Sequence, residues 1–156
     1  IPRVAERMFP CIAGDRVKRF VAGLSMGGYG ALKLALSHPE MFSRAFCFSS
    51  VIDLKSRIGS QKPELKRFFK CIFGESVKPE DDLLSLAENF KNAVKPSIYM
   101  SCGKNDSFVM ENREIIQALK ENCFDVSYYE EEGIGHSWDF WDSELKKTCD
   151  YIGGID

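Results

Sequence analysis

The chain has 156 residues, 44% of them hydrophobic, enough for one domain with a single core. Its 21 basic residues are scattered among 23 acidic ones and leave a formal charge of -2, so the electrostatic attraction that nucleic acid binding requires is missing. No stretch approaches the roughly 20 apolar residues of a membrane span, and residues 1–7 lack the apolar centre of a signal peptide, so neither a membrane role nor export is expected.

The first β-favouring run is Arg19 to Leu24, which leads directly into Gly23-Leu24-Ser25-Met26-Gly27 and then an apolar helical run from Ala31 to Leu36. In that strand-to-helix context a G-x-S-x-G pattern implies a nucleophilic serine on a strained turn, because the flanking glycines admit neighbouring backbone without a Cβ clash. The turn would lift the Ser25 hydroxyl above the sheet and aim the Met26 N–H at a developing oxyanion. A phosphate-binding loop would instead end in Gly-Lys-Ser/Thr, whereas Lys33 lies between Leu32 and Leu34. Gly27, Ala31, Leu34 and Ala35 recur at helical spacing and would bring this helix close to the sheet.

Further strand patterns follow at Arg44 to Phe48, Ser97 to Ser101 and Val126 to Glu130. A helix over Glu111 to Asn122 would bury Ile115, Ile116 and Leu119, and a last one over Asp139 to Tyr151 would bury Trp141, Leu145 and Cys149. Strands alternating with helices predict an α/β class, a mainly parallel sheet with flanking helices. The charged segment from Asp53 to Lys95 carries helical patches at Pro63 to Phe73 and Asp81 to Phe90 outside that rhythm. It reads as a helical, cap-like insertion, residues 53–95, within a single domain over 1–156. Six cysteines at 11, 47, 71, 102, 123 and 149 form no C-x-x-C pair, which predicts reduced thiols in a cytoplasmic protein with no metal site.

A serine hydroxyl needs a base, and only His38 and His136 are available. His38 closes the helix after the serine, where contact with the helix C-terminus accounts for it. His136 lies in Gly133-Ile134-Gly135-His136-Ser137-Trp138, a turn between the last strand and last helix from which a base can reach over the sheet edge. For the carboxylate that orients the imidazole, Asp106 follows the third strand at its C-terminal end, where sites gather in open α/β sheets. Asp53, also after a strand, and Asp139, near the histidine, are rivals, although Asp139 suits the first turn of a helix. The order Ser25, Asp106, His136 matches the hydrolase pattern built on a parallel sheet. Phe108 and Trp138 are the aromatic candidates for an acyl or aryl pocket, with core packing the alternative for Trp138.

The run Gly23-Leu24-Ser25-Met26-Gly27-Gly28-Tyr29-Gly30-Ala31, with His38-Pro39-Glu40, Cys102-Gly103 through Asp106, and Gly135-His136-Ser137-Trp138 with Trp141, resembles the esterase branch of the α/β-hydrolases. That branch contains esterase D, or S-formylglutathione hydrolase, and the bacterial tributyrin esterases, the latter being most similar. The resemblance covers nearly the whole chain and implies a partial α/β-hydrolase fold. It further implies carboxylic esters with short acyl groups as substrates, no cofactor, and an intracellular setting or one of acetyl-xylan and feruloyl esters.

One departure lies at the front. Family members carry about four strands and an oxyanion loop before the serine turn, whereas residues 1–9 here resemble the tail of the preceding helix, so the second oxyanion donor has no match. The strand at Arg19 to Leu24, central in the family, would present a free hydrophobic edge, open to a missing N-terminal half or a second copy. Acyl transfer on the same scaffold, and a catalytically incomplete fragment that only folds or pairs with a partner, are the alternative functional readings.

Overall fold

The computed structural model describes residues 2–9 and 14–154. Its elements are α1 (Pro2–Met8), a 3-10 turn (Arg16–Lys18), β1 (Phe20–Leu24), α2 (Met26–Ser37), β2 (Arg44–Phe48), α3 (Leu54–Ile58), α4 (Pro63–Phe73) and α5 (Leu83–Glu88). After these come β3 (Ser97–Gly103), α6 (Val109–Glu121), β4 (Val126–Glu131) and α7 (Trp138–Gly153). All four strands run parallel in the order β1-β2-β3-β4, with Gly23 opposite Cys47 and Cys47 opposite Met100. The α/β class and all four strands fall where the alternation predicts them, with β3 and β4 extending slightly further.

Side chains alternate across each strand, and the two faces have separate cores. Ala45, Cys47, Ile98 and Met100 belong to the larger core, with Leu32 and Ala35 of α2, Leu83 and Ala87 of α5, and Ile115, Ile116 and Leu119 of α6. Phe46 and Phe48 point the other way and pack with Phe140 and Trp141 of α7. The sheet is thus sandwiched, which holds the ends of its strands in fixed relation to the helices that begin there.

Parts of this packing depart from the sequence pattern. In α2 the buried residues are Gly28, Tyr29, Ala31, Leu32, Ala35 and Leu36, while Gly27 and Leu34 are exposed. Nearly every position of that helix is apolar, so periodicity alone could not orient it. In α7 the buried residues are Phe140, Trp141, Glu144 and Thr148, whereas Leu145 and Cys149 face solvent. Glu144 takes the inward place because the Tyr99 hydroxyl donates to its Oε2 at 2.7 Å and the Lys147 ammonium to its Oε1 at 2.7 Å. Burial, and then this bond to Glu144, push the Tyr99 phenol pKa well up. Lacking partners in the sequence, a glutamate at that position scores as surface.

Between β2 and β3, α4 falls on the predicted Pro63–Phe73 span. The patch predicted over Asp81 to Phe90 shortens to α5, which packs against both α2 and α6 and so serves as the crossover helix. The turn just before it is tied to α2 by the Tyr29 hydroxyl donating to the Asp81 carbonyl at 2.8 Å and by a Lys33–Asp81 ion pair. Among the described residues β1 pairs only with β2, and its side chains are half-buried or exposed while those of β2 are almost all buried.

Removing the Glu144 carboxylate leaves the half-buried Tyr99 hydroxyl without its acceptor, so Glu144→Ala should lower stability by about 1 kcal/mol. The pair Tyr99→Phe with Glu144→Leu should recover most of that loss. Urea denaturation of the three proteins tests this.

Candidate active site

Ser25 sits between β1 and α2 with φ 54 and ψ -119, outside the regions that non-glycine residues favour. Three backbone bonds over-determine it. Its N–H donates to the Phe48 carbonyl at 2.8 Å, and its own carbonyl accepts from Val51 at 3.1 Å and Tyr29 at 3.2 Å. The turn is so tight that a Cβ on Gly23 would lie 2.1 Å from the Gly27 carbonyl oxygen, so glycine is required at 23. Met26 opens α2, and its N–H is one of the first-turn amides with no acceptor inside the helix.

The histidine arrives from the far side of the sheet. His136 follows β4 in the loop that ends at Ser137, and its Nε2 lies 3.0 Å from the Ser25 Oγ. Its Nδ1 lies 2.7 Å from Oδ2 of Asp106, in the loop after β3. The Asp106 side chain is fully buried (0% exposed) and that of His136 is 32% exposed, so the chain of contacts runs from the interior to the surface. The second Asp106 oxygen accepts the Phe108 N–H at 2.9 Å, which fixes the carboxylate plane.

Backbone contact between the two loops brings these groups together. Lys104 donates to the Glu131 carbonyl and Asn105 to that of Ile134, each at 2.9 Å. A Cβ on Gly103 would meet the Ile134 oxygen at 2.2 Å, so only glycine allows this approach. The three predicted residues therefore converge at the C-terminal rim of the sheet, although they span 111 positions of sequence.

The rival residues have other work. His38 is the C-cap of α2, its N–H donating to Leu34. Asp53 caps α3 by accepting the Ser56 N–H at 2.9 Å; burial alone would raise its pKa, but the Ser56 bonds and the Arg57 charge hold it below the ordinary carboxylate range. Asp139 lies in the first turn of α7. Burial pushes the thiols of Cys47 and Cys102 up to about 12, which keeps them protonated and un-nucleophilic. Cys71, Cys123 and Cys149 are likewise free thiols, and Cys11 lies outside the described residues.

Aromatic residues surround the imidazole. Phe108 stands edge to face at 4.8 Å and Trp141 at 4.6 Å, and Trp138, 68% exposed, packs on Trp141 at 5.1 Å. Trp138 is thus outside the core, on the surface next to Trp141. The helix pattern marks Trp141 as core, which it is, but its contact with His136 has no signal in the periodicity. A cavity of about 270 Å³ lined by Arg44, Tyr99, Lys147 and Tyr151 lies elsewhere on the sheet and contains none of these residues.

Residues 3–151 match the model of the family described as "Putative esterase". The chain belongs to that family. It is 33% identical over 159 residues to an acetyl esterase of Caldicellulosiruptor saccharolyticus, a match covering 95% of this chain and 59% of that one. The fold is similar to the fluorophosphonate-binding serine hydrolase F of Staphylococcus aureus (TM-score 0.80, 24% identity, 96% of this chain and 59% of the other). It is also similar to an S-formylglutathione hydrolase of Staphylococcus aureus (TM-score 0.73, 23% identity, 96% and 56%). The four-stranded parallel sheet with its helices is a partial α/β-hydrolase fold, and the chain spans about three-fifths of the length of the acetyl esterase that it matches.

Because Gly103 leaves no room for a methyl group against backbone, Gly103→Ala should cost about 2 kcal/mol or more. It should also displace the 133–137 loop, visible as chemical-shift changes at His136 that a solvent-facing Gly153→Ala control lacks.

Proposed function

We propose that the protein is a serine carboxylesterase acting on short-chain acyl esters. The observation that carries this reading is the hydrogen-bonded line from the Ser25 Oγ through His136 to the buried Asp106. In the proposed sequence the His136 Nε2 takes the Ser25 proton as Oγ attacks the ester carbonyl carbon, and Asp106 balances the imidazolium. The Met26 N–H donates to the oxyanion at the N-terminus of α2. His136 then protonates the departing alcohol, and a water deprotonated by His136 releases the acid from the acyl-enzyme. No metal or cofactor enters these steps.

Family membership supports ester chemistry, and the name of the acetyl esterase relative supports a small acyl group. Trp138, on the surface next to Trp141, and Phe108 beside the base would border the ester, and residues 53–95, through α3 and α4, would shape its entry. Unpaired thiols fit a cytoplasmic setting. No helix of the described residues is long and apolar enough to cross a membrane.

The second oxyanion donor would come from polypeptide that pairs with β1. That strand's half-buried Phe20, Val21 and Leu24 leave an edge that favours association. By light scattering the chain should be larger than a monomer, or become so on addition of a polypeptide carrying the family's preceding strands; a monomer indifferent to that addition would count against pairing.

Hydrolysis of p-nitrophenyl acetate and butyrate by a polypeptide completed in this way tests the chemistry. Ser25→Ala should reduce turnover by about 10⁶-fold, and Asp106→Asn by about 10⁴-fold. A Ser25→Ala protein as active as its parent would overturn the assignment.

A further inference from the structure

Two hydrogen bonds, one at each ring nitrogen, define a line through the His136 imidazole but leave the ring plane weakly determined about that line. The loop that carries the ring is tied to the loop after β3 through the Ile134 carbonyl, but that bond holds its backbone and leaves the imidazole to turn about its own side-chain torsions. What meets the ring besides its hydrogen-bond partners is aromatic. Phe108 stands at 72° to the imidazole with centroids 4.8 Å apart, and Trp141 at 84° with centroids 4.6 Å apart.

The contacts extend beyond the first neighbours. The Arg57 guanidinium of α3 lies 4.9 Å from the centre of the Phe108 ring and is itself paired with Glu111 of α6. Glu111 also accepts the N–H groups of Ile52 at 2.8 Å and Asp53 at 2.6 Å, so the outer end of the series is anchored to backbone. On the other side, Trp141 is backed by Trp138. The Trp141 indole N–H is buried without an acceptor among the described residues, although a buried tryptophan ordinarily satisfies that group.

We infer that Phe108 and Trp141 are positioning residues, which fix the plane of the His136 imidazole so that Nε2 and Nδ1 face Ser25 and Asp106 together, with Arg57 bracing Phe108 from outside. The inference rests on the proposed esterase reading for its catalytic consequence. The clamp matters most in the acyl-enzyme, when the Ser25 Oγ is esterified and no longer offers its proton to Nε2. The imidazole must then keep its orientation to deprotonate water, held by Asp106 and the two rings.

The test uses Trp141→Phe, Trp141→Leu and Phe108→Leu, with thermal melts to compare folding. The proton between His136 and Asp106 should give a downfield NMR resonance in the parent. It should broaden through exchange with water in both leucine variants and stay sharp in Trp141→Phe. Fluorophosphonate labelling of Ser25 should slow about tenfold in the leucine variants and stay within about twofold in Trp141→Phe, as expected for misplacement of a reacting group. An unchanged resonance and labelling rate in Trp141→Leu, or equal losses in Trp141→Phe and Trp141→Leu, would overturn the inference. Labelling of Ser25→Ala at the parent rate would instead overturn the esterase reading. If the parent is not labelled, the resonance alone decides the positioning.

Discussion

The Asp106 carboxylate is buried with no lysine or arginine paired to it among the described residues, and its hydrogen bonds come from His136 and the Phe108 backbone. Burying an ionised carboxylate costs several kcal/mol unless its lone pairs are satisfied. The fold around it is therefore constrained to deliver one imidazole and one amide to a fixed point. The loop after β3 must turn back so that Phe108 can donate, and the loop after β4 must descend far enough for Nδ1 to reach. Gly103, pressed against the Ile134 carbonyl, is the point at which that double requirement falls on the backbone.

A parallel sheet makes such convergence economical. Every strand ends at the same rim, so the turn after β1, the loop after β3 and the loop after β4 begin within a few strand spacings of one another. The two cores then act differently on the site. The larger one, under α2, α5 and α6, fixes where α2 starts and hence the Ser25 turn. The smaller one includes Trp141 and Ile134, which belong to the helix and loop that present His136. Packing energy and site geometry are thus shared by the same residues, with aromatic contacts worth about 1 kcal/mol each beyond their buried area.

How much of this was legible varied by residue for physical reasons. The Ser25 turn could be read because close backbone approach demands glycine, and a demand on residue type leaves a mark in the chain. The four strands could be read because both faces of the sheet are covered, which selects runs of β-favouring apolar residues. His136 and Asp106 followed from scarcity and from position after strands. Leu145 and Glu144 were exchanged because burial of a glutamate depends on Tyr99, 45 residues away. The five-residue α3 has too few turns to show a period, yet it carries Arg57. Trp141 was legible as core, but core residues carry no sign of which neighbouring side chain they touch.

The chain by itself determined its strands, most of its helices, the glycines its turns require, and the small set of groups able to move a proton from a serine. Those properties depend on backbone sterics and on periodic burial, which act over a few residues. Only the tertiary structure decided which carboxylate faces His136, that Asp106 is buried while Asp53 and Asp139 serve helix ends, and that Phe108 and Trp141 both contact one imidazole. Most such relations are contacts between segments well separated in the chain, or the rotation of a helix about its axis, and they are set by how the loops close over the sheet.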